Sequence, residues 1–192
     1  MAIIERTDAD AARLTTDVRE LLRTDWLGLA AASLNSTNRF EATLAGLGWT
    51  LVGLDPEPAV CLPTGSVYTF ERVEDSVSHW VWEADAATPA ENEELFAVAG
   101  RAWQTYADAV VAAAGRPETV TAWDDPDFPV LERWDDPEIR VIERDPFRLA
   151  RWRLPAVDLL LWVNVFTGTA AMRRAGGVAV VSEVLLPSGS LG

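Results

Sequence analysis

The chain has no lysine. All 16 basic residues are arginine, set against 30 acids for a net charge of −14. A surface so poor in positive charge argues against nucleic acid as a partner, because phosphate contacts require cations. An anionic membrane leaflet repels it for the same reason. A single cysteine, Cys61, excludes an internal disulfide and fits a reducing compartment. One imidazole, His79, is too little for the histidine-rich metal sites, and one His with one Cys cannot complete a zinc tetrad without carboxylates. Apolar runs such as 159–163 and 178–181 fall far short of the ~20 residues that a membrane helix needs. The first ten residues carry acids and no apolar stretch, so no secretory leader is expected. These absences together predict a soluble cytoplasmic protein that binds neither nucleic acid nor membrane.

What is present supports a sizeable core. With 192 residues, 49% hydrophobic residues and 9 tryptophans, the chain is long and apolar enough for one domain, expected over residues 1–187 with a frayed tail at 188–192. The plainest signal is a central helix at 88–114. Thr88, Pro89 and Glu91 form its start. Leu95, Ala99, Ala102, Trp103, Tyr106 and Val110 repeat at helical spacing, and Gly115 and Pro117 stop it. Asp8 or Asp10 can cap an earlier helix that runs to about Arg23 with Leu14, Val18, Leu21 and Leu22 on one face. The apolar stretch 26–34 extends it or turns separately. Asn38 followed by Glu41 predicts a second short helix, ended by Gly46 and Gly48.

Strands are predicted at 50–54, 59–62, 66–71 and 77–82, separated by turns at 55–58, 63–65 and 74–76. In the last of these, alternation sets Val77, His79 and Val81 opposite Ser78, Trp80 and Trp82. After the central helix, strands are predicted at 119–123, 130–134, 138–144, 148–154, 158–166 and 177–186, with Thr167-Gly168 and Gly176-Gly177 bounding the last loop. The class is therefore α+β: a mostly antiparallel sheet packed by a long central helix and N-terminal helices, with a hint of two αβββ halves.

Catalytic and cofactor signatures fail one after another. No Gly-x-Ser-x-Gly elbow presents a nucleophile to His79, and nothing near Cys61 would depress a thiol pKa. Asp124, Asp125 and Asp127 are interrupted by Pro126 and lack the calcium-loop pattern. Gly46-Leu47-Gly48 follows a helix instead of opening one, unlike a dinucleotide fingerprint. No enzyme, metal or cofactor is expected. A glycosidase-type pair needs only two facing carboxylates, and 30 acids leave that alternative open.

Charge is the one uneven feature. Residues 118–145 hold ten acids against Arg133, Arg140 and Arg144, a net of −7 and half the excess of the whole chain. The residues after them, 146–192, carry a net of +3. Within the acidic stretch a phrase recurs, Trp123-Asp124-Asp125-Pro126 and Trp134-Asp135-Asp136-Pro137. Asp-Asp-Pro makes a turn after a strand, with the tryptophan pinning it to the core. Rigid aromatics flanked by carboxylates are also good interface material. The expected contact set is Trp123, Asp124, Asp125, Asp127, Trp134, Asp135, Asp136 and Glu138, meeting a basic protein partner.

Taken with the N-terminal amphipathic helix, the Phe40…Leu47-Gly48-Trp49 passage, the Gly115-Arg116-Pro117 break and the Arg151-Trp152-Arg153 strand, the chain resembles the small acidic immunity-type proteins encoded beside polymorphic secreted toxins in GC-rich Gram-positive bacteria. The resemblance implies a non-catalytic protein, a monomer or small homo-oligomer, that occupies a toxin's active site or basic groove. The alternative expectation is a secretion chaperone or adaptor that holds an extended apolar segment of a secreted partner.

Overall fold

The computed structural model describes residues 3–54, 57–72, 75–166 and 175–191. The turn residues Asp55, Pro56 and Glu74 and the pair Thr167-Gly168 lie outside them.

Among the described residues, nine strands form one antiparallel sheet, and the three N-terminal helices and the long central helix lie against one of its faces. β1 is Ile4–Thr7; the helices α1 (Ala11–Leu21), α2 (Trp26–Asn35) and α3 (Thr37–Leu47) follow. The strands β2 (Thr50–Gly53), β3 (Ala59–Cys61), β4 (Val67–Glu71) and β5 (Ser76–Asp85) then run as a meander. A 3-10 turn, Pro89–Glu91, leads into α4 (Asn92–Ala114). The second meander comprises β6 (Thr119–Thr121), β7 (Leu149–Arg153), β8 (Asp158–Phe166) and β9 (Gly177–Leu185). Strand order is β2-β3-β4-β5-β9-β8-β7-β6, so the two meanders meet through their last strands. Each is preceded by a helix and has four strands, one more than the hint of αβββ halves; the four strands expected before the central helix are all present. β1 lies beside the far end of β5, beyond the reach of β4.

Local chemistry accounts for the helices. Asp10, Asp25 and Ser36 cap α1, α2 and α3 by accepting from the N–H groups of Arg13, Gly28 and Arg39. The third cap is Ser36, not the expected Asn38. Gly46 sits inside α3, and Gly48, in the left-handed region at φ 74°, ends it. The Glu91 carboxylate accepts from the Thr88 N–H at 2.9 Å, as the start signal predicted. Leu95, Ala99, Trp103, Tyr106 and Val110 are all buried against α1 and the sheet. Two bonds fix this helix further: the Tyr106 hydroxyl donates to the Ala9 carbonyl, and the Trp152 indole donates to the Gly115 carbonyl, both at 2.8 Å.

Several expectations need correction. Residues 4–7 form a strand that the sequence did not reveal, because all four residues are exposed and ladder bonds to β5 hold them instead of burial. A bulge between Trp80 and Trp82 breaks the alternation of β5. Trp82 therefore joins Val77 and Val81 in the helix-side core while Trp80 stays on the opposite face. The predicted strand 130–134 contains a 3-10 turn, Glu132–Trp134, and the predicted strand 138–144 is the helix α5, Pro137–Glu143. Asp136 caps that helix and Pro137 occupies its first turn, which overrides the strand preference of Ile139, Val141 and Ile142. The tail is not frayed over 188–191. Both Asp75 carboxylate oxygens accept from it, through the N–H groups of Gly189 and Leu191, and the Leu191 side chain is buried in the main core.

The second face of the sheet is covered over half its width. The 27-residue connection between β6 and β7 crosses it, and Trp134, Leu149, Leu160, Trp162, Ala179 and Val181 form a second core there with Phe128 and Leu131. At Gly177 a Cβ would lie 2.3 Å from the Phe166 ring, so any larger residue there would have to displace that ring.

Candidate partner-binding surface

The connection between β6 and β7 contains most of the acidic stretch, and its inner side is fixed by the fold. Asp125 closes the first turn: its carboxylate accepts from the Asp127 N–H at 2.9 Å and from the Thr121 hydroxyl at 2.8 Å. Those bonds hold its pKa below the usual carboxylate value, the backbone bond foremost. Trp134 packs edge-on against Trp162 at 4.9 Å and donates its indole N–H to Asp145 at 2.9 Å. The other Asp145 oxygen accepts from the Val165 N–H at 2.9 Å. Burial pushes the Asp145 pKa up, against the pull of those two donors. Asp136 caps α5 through the N–H groups of Glu138 and Ile139.

The three arginines of the stretch are spent inward or sideways. Arg133 donates from both terminal nitrogens to the two oxygens of Glu183, each at 2.9 Å, and lies over the Trp162 and Trp134 rings. Glu183 is fully buried and also accepts from the Trp162 indole at 2.8 Å. Arg140 sits 4.0 Å above the Phe128 ring. Arg144 reaches Glu93 at 3.1 Å and covers the Phe96 and Trp123 rings. Among the described residues, the stretch 118–145 makes one ion pair through its own acids, Glu118 with Arg153 at 3.4 Å.

The outer side is different. Asp124, Asp127, Glu132, Asp135, Asp136 and Glu138 are exposed. Among the described residues no arginine lies within ion-pair distance of any of these six. Between them stand apolar side chains with no cover: Val130 at 92% exposure, Ile139 at 54%, Val141 at 49% and Ile142 at 57%. No residue of α5 is buried. Helical spacing puts Ile139 beside Ile142, with Glu138 one turn below Val141 and Ile142. The surface thus alternates bare carboxylates with bare aliphatic groups.

Of the eight expected contact residues, Asp124, Asp127, Asp135 and Glu138 lie on this outer side, and among the described residues their carboxylates make no ion pair. Asp125 and Asp136 are committed to a turn and a cap. Trp123 is half-buried under Arg144, and Trp134 is buried beneath the connection as its anchor. Sequence reasoning missed the exposed Ile139, Val141 and Ile142, whose helical setting was announced by the Asp136-Pro137-Glu138 start signal. It also missed the Arg133–Glu183 pair, which no local pattern marks.

The catalytic candidates sit elsewhere. His79 is buried beside the Tyr68 ring, with Nε2 2.6 Å from an Asp8 oxygen. Ser182 is its cross-strand neighbour, yet the Ser182 hydroxyl and His79 Nδ1 do not hydrogen-bond each other, and Ser182 is fully buried. This Asp-His-Ser alignment presents no exposed nucleophile. Cys61 is half-buried in β3. Among the described residues no group of three His, Cys, Asp or Glu side chains is placed to hold a metal, and no helix is long and apolar enough to cross a membrane.

Comparison of the chain with family models, curated proteins and solved structures finds no match.

Proposed function

We propose that this chain is a non-catalytic binding protein of the immunity type, which neutralises a cognate toxin domain by covering its cationic substrate groove with the outer side of residues 124–143. One observation carries the reading: exposed, unpaired carboxylates interleaved with exposed aliphatic side chains on a connection whose underside is locked to the sheet. Carboxylates steer a basic partner into encounter, and the desolvated aliphatic centre then retains it. Apart from Asp136, which also caps α5, the outward-facing acids are separate from Asp125 and Asp145, which serve the fold.

The reading expects a basic toxin-like domain in a neighbouring reading frame, and the test uses that domain as the partner. Asp124, Asp127, Asp135 and Glu138 are changed together to amides, which spares the cap at Asp136 and the turn at Asp125. The association rate should fall at least tenfold at low salt and converge on the parent rate at high salt, where the Debye length shrinks to a few ångströms. Equal rates for the two chains at low salt would remove this surface from the interaction.

A chaperone or adaptor reading draws on a different region. Trp80, 43% exposed and stacked on Phe166 at 5.4 Å, and Val67 stand on the half of the second face that the connection leaves open. Binding there would tolerate salt and be lost with Trp80→Ala, the reverse of the result expected above.

A further inference from the structure

The acidic connection and the sheet enclose a cavity of about 410 Å³. Its apolar walls are Leu131, Trp134, Leu160 and Leu185. The exposed Glu132 and Ser188 stand at its rim, and the half-buried Asp75 also lines it. The one cation in the lining, Arg133, has both terminal nitrogens on Glu183 and its flat face on two indoles. The described lining therefore holds three carboxylates against one guanidinium that is already neutralised, so an anion finds no open fork and a cation finds an excess of negative charge. Asp75 keeps two backbone N–H donors on its carboxylate, which fix the position of the side chain. Apolar walls topped by a carboxylate rim suit one chemistry: a flexible aliphatic stem that ends in a positive charge.

We infer that this cavity receives a single arginine or lysine side chain of the partner, the stem against Leu131, Trp134, Leu160 and Leu185 and the charged head at Glu132 and Asp75. The inference rests on the binding reading above and names the group the partner contributes. The cavity directly adjoins the exposed acids in sequence, since Leu131, Glu132 and Trp134 line it and Asp135 follows. A buried aliphatic stem with its charge satisfied at the rim is the kind of anchor that dominates an interface.

The experiment titrates the intact, isotope-labelled chain with four blocked amino acids: the Nα-acetyl amides of arginine, lysine, norleucine and glutamate. The arginine and lysine amides should bind in the ~mM range expected of one side chain, shifting the Trp134 indole signal and the amides of 131–134 and 185–188. Glu132→Gln, a change at an exposed position, should weaken arginine amide about three- to fivefold, the size of one exposed ion pair. Ser188→Trp, which fills the mouth, should abolish the shifts. Norleucine amide binding as well as arginine amide, glutamate amide binding at all, or shifts mapping away from these residues would each overturn the assignment. The two proposals fail separately. If the amides do not enter while the four-acid variant still slows association, the cavity is not used and the surface stands. If they enter but that variant associates normally, the toxin reading falls and a small-cation site remains.

Discussion

Replacing Arg133 with methionine should be among the most damaging changes available in this fold, although Arg133 lies in a connection and not in a strand. Glu183 sits on β9 with no exposed surface and three hydrogen bonds, two from Arg133 and one from the Trp162 indole. Arg133→Met removes two of the three and leaves a buried carboxylate with a single donor. Breaking a buried pair from one side costs about 3–5 kcal/mol. Methionine retains contact with the Trp134 and Trp162 rings, so the lost cation–π attraction adds little beyond that. A loss of ~4 kcal/mol corresponds to a melting temperature lower by about 8–16 °C for a chain of this size. With a urea slope of ~2.5 kcal/mol/M the midpoint falls by about 1.5 M. Tryptophan fluorescence follows the transition. The decisive comparison is the double variant Arg133→Met with Glu183→Leu, which removes the stranded charge and should recover to within about 1–2 kcal/mol of the parent. A single variant that loses less than ~1 kcal/mol, or a double variant no better than the single, would show that Glu183 is solvated in a way the burial does not allow.

Asp136→Ala removes the cap of α5 and should cost ~1 kcal/mol; hydrogen exchange should show the Glu138 and Ile139 amides losing protection while β8 and β9 keep theirs. Asp145 gives a pH dependence of defined sign. Burial raises its folded-state pKa above the unfolded value, so the group's contribution is most favourable below the unfolded pKa and is lost as pH rises through the folded one. The stability of the parent chain relative to Asp145→Asn should therefore fall as pH rises above the ordinary aspartate value of about 4; urea midpoints that stay parallel, or diverge the other way, would contradict it.

How much could be read beforehand depends on which force holds each element. Where burial holds it, the apolar pattern shows it: the stripe of α4, the inward face of α1 and the long β8 and β9 were all legible. Where hydrogen bonds hold it, the pattern is silent. β1 has four exposed residues and exists through its ladder to β5. The 188–191 tail, all small polar residues before Leu191, is fastened by one aspartate more than a hundred positions away. α5 is a third case, in which β-branched residues argued for a strand and three residues of capping chemistry decided otherwise. For the candidate surface, the excess of charge in 118–145 was plain, but its division was not. The Asp136-Pro137-Glu138 start signal marks Asp136 as a cap, but nothing in the sequence separates Asp125, used up by its turn, from Asp124 next to it.

The division follows from the two meanders being unequal. β4 alternates buried and partly exposed positions, as a strand with one covered face does, whereas β8 and β9 are buried at nearly every position. The second meander must therefore be covered twice, once by α4 and once on the opposite face, or Trp162, Leu160 and Val181 would stand in water. The connection from β6 to β7 supplies that second cover, and Phe128, Leu131 and Trp134 suffice for it. Stability thus accounts for the underside of the connection and leaves its top unconstrained. Polar residues would serve equally well there. Instead the top carries Val130, Ile139, Val141 and Ile142, each about half exposed or more, among carboxylates that no arginine of the described residues pairs. Exposed aliphatic groups in the company of unpaired acids give a monomer nothing, and they give a complex with a basic protein both its encounter and its adhesion.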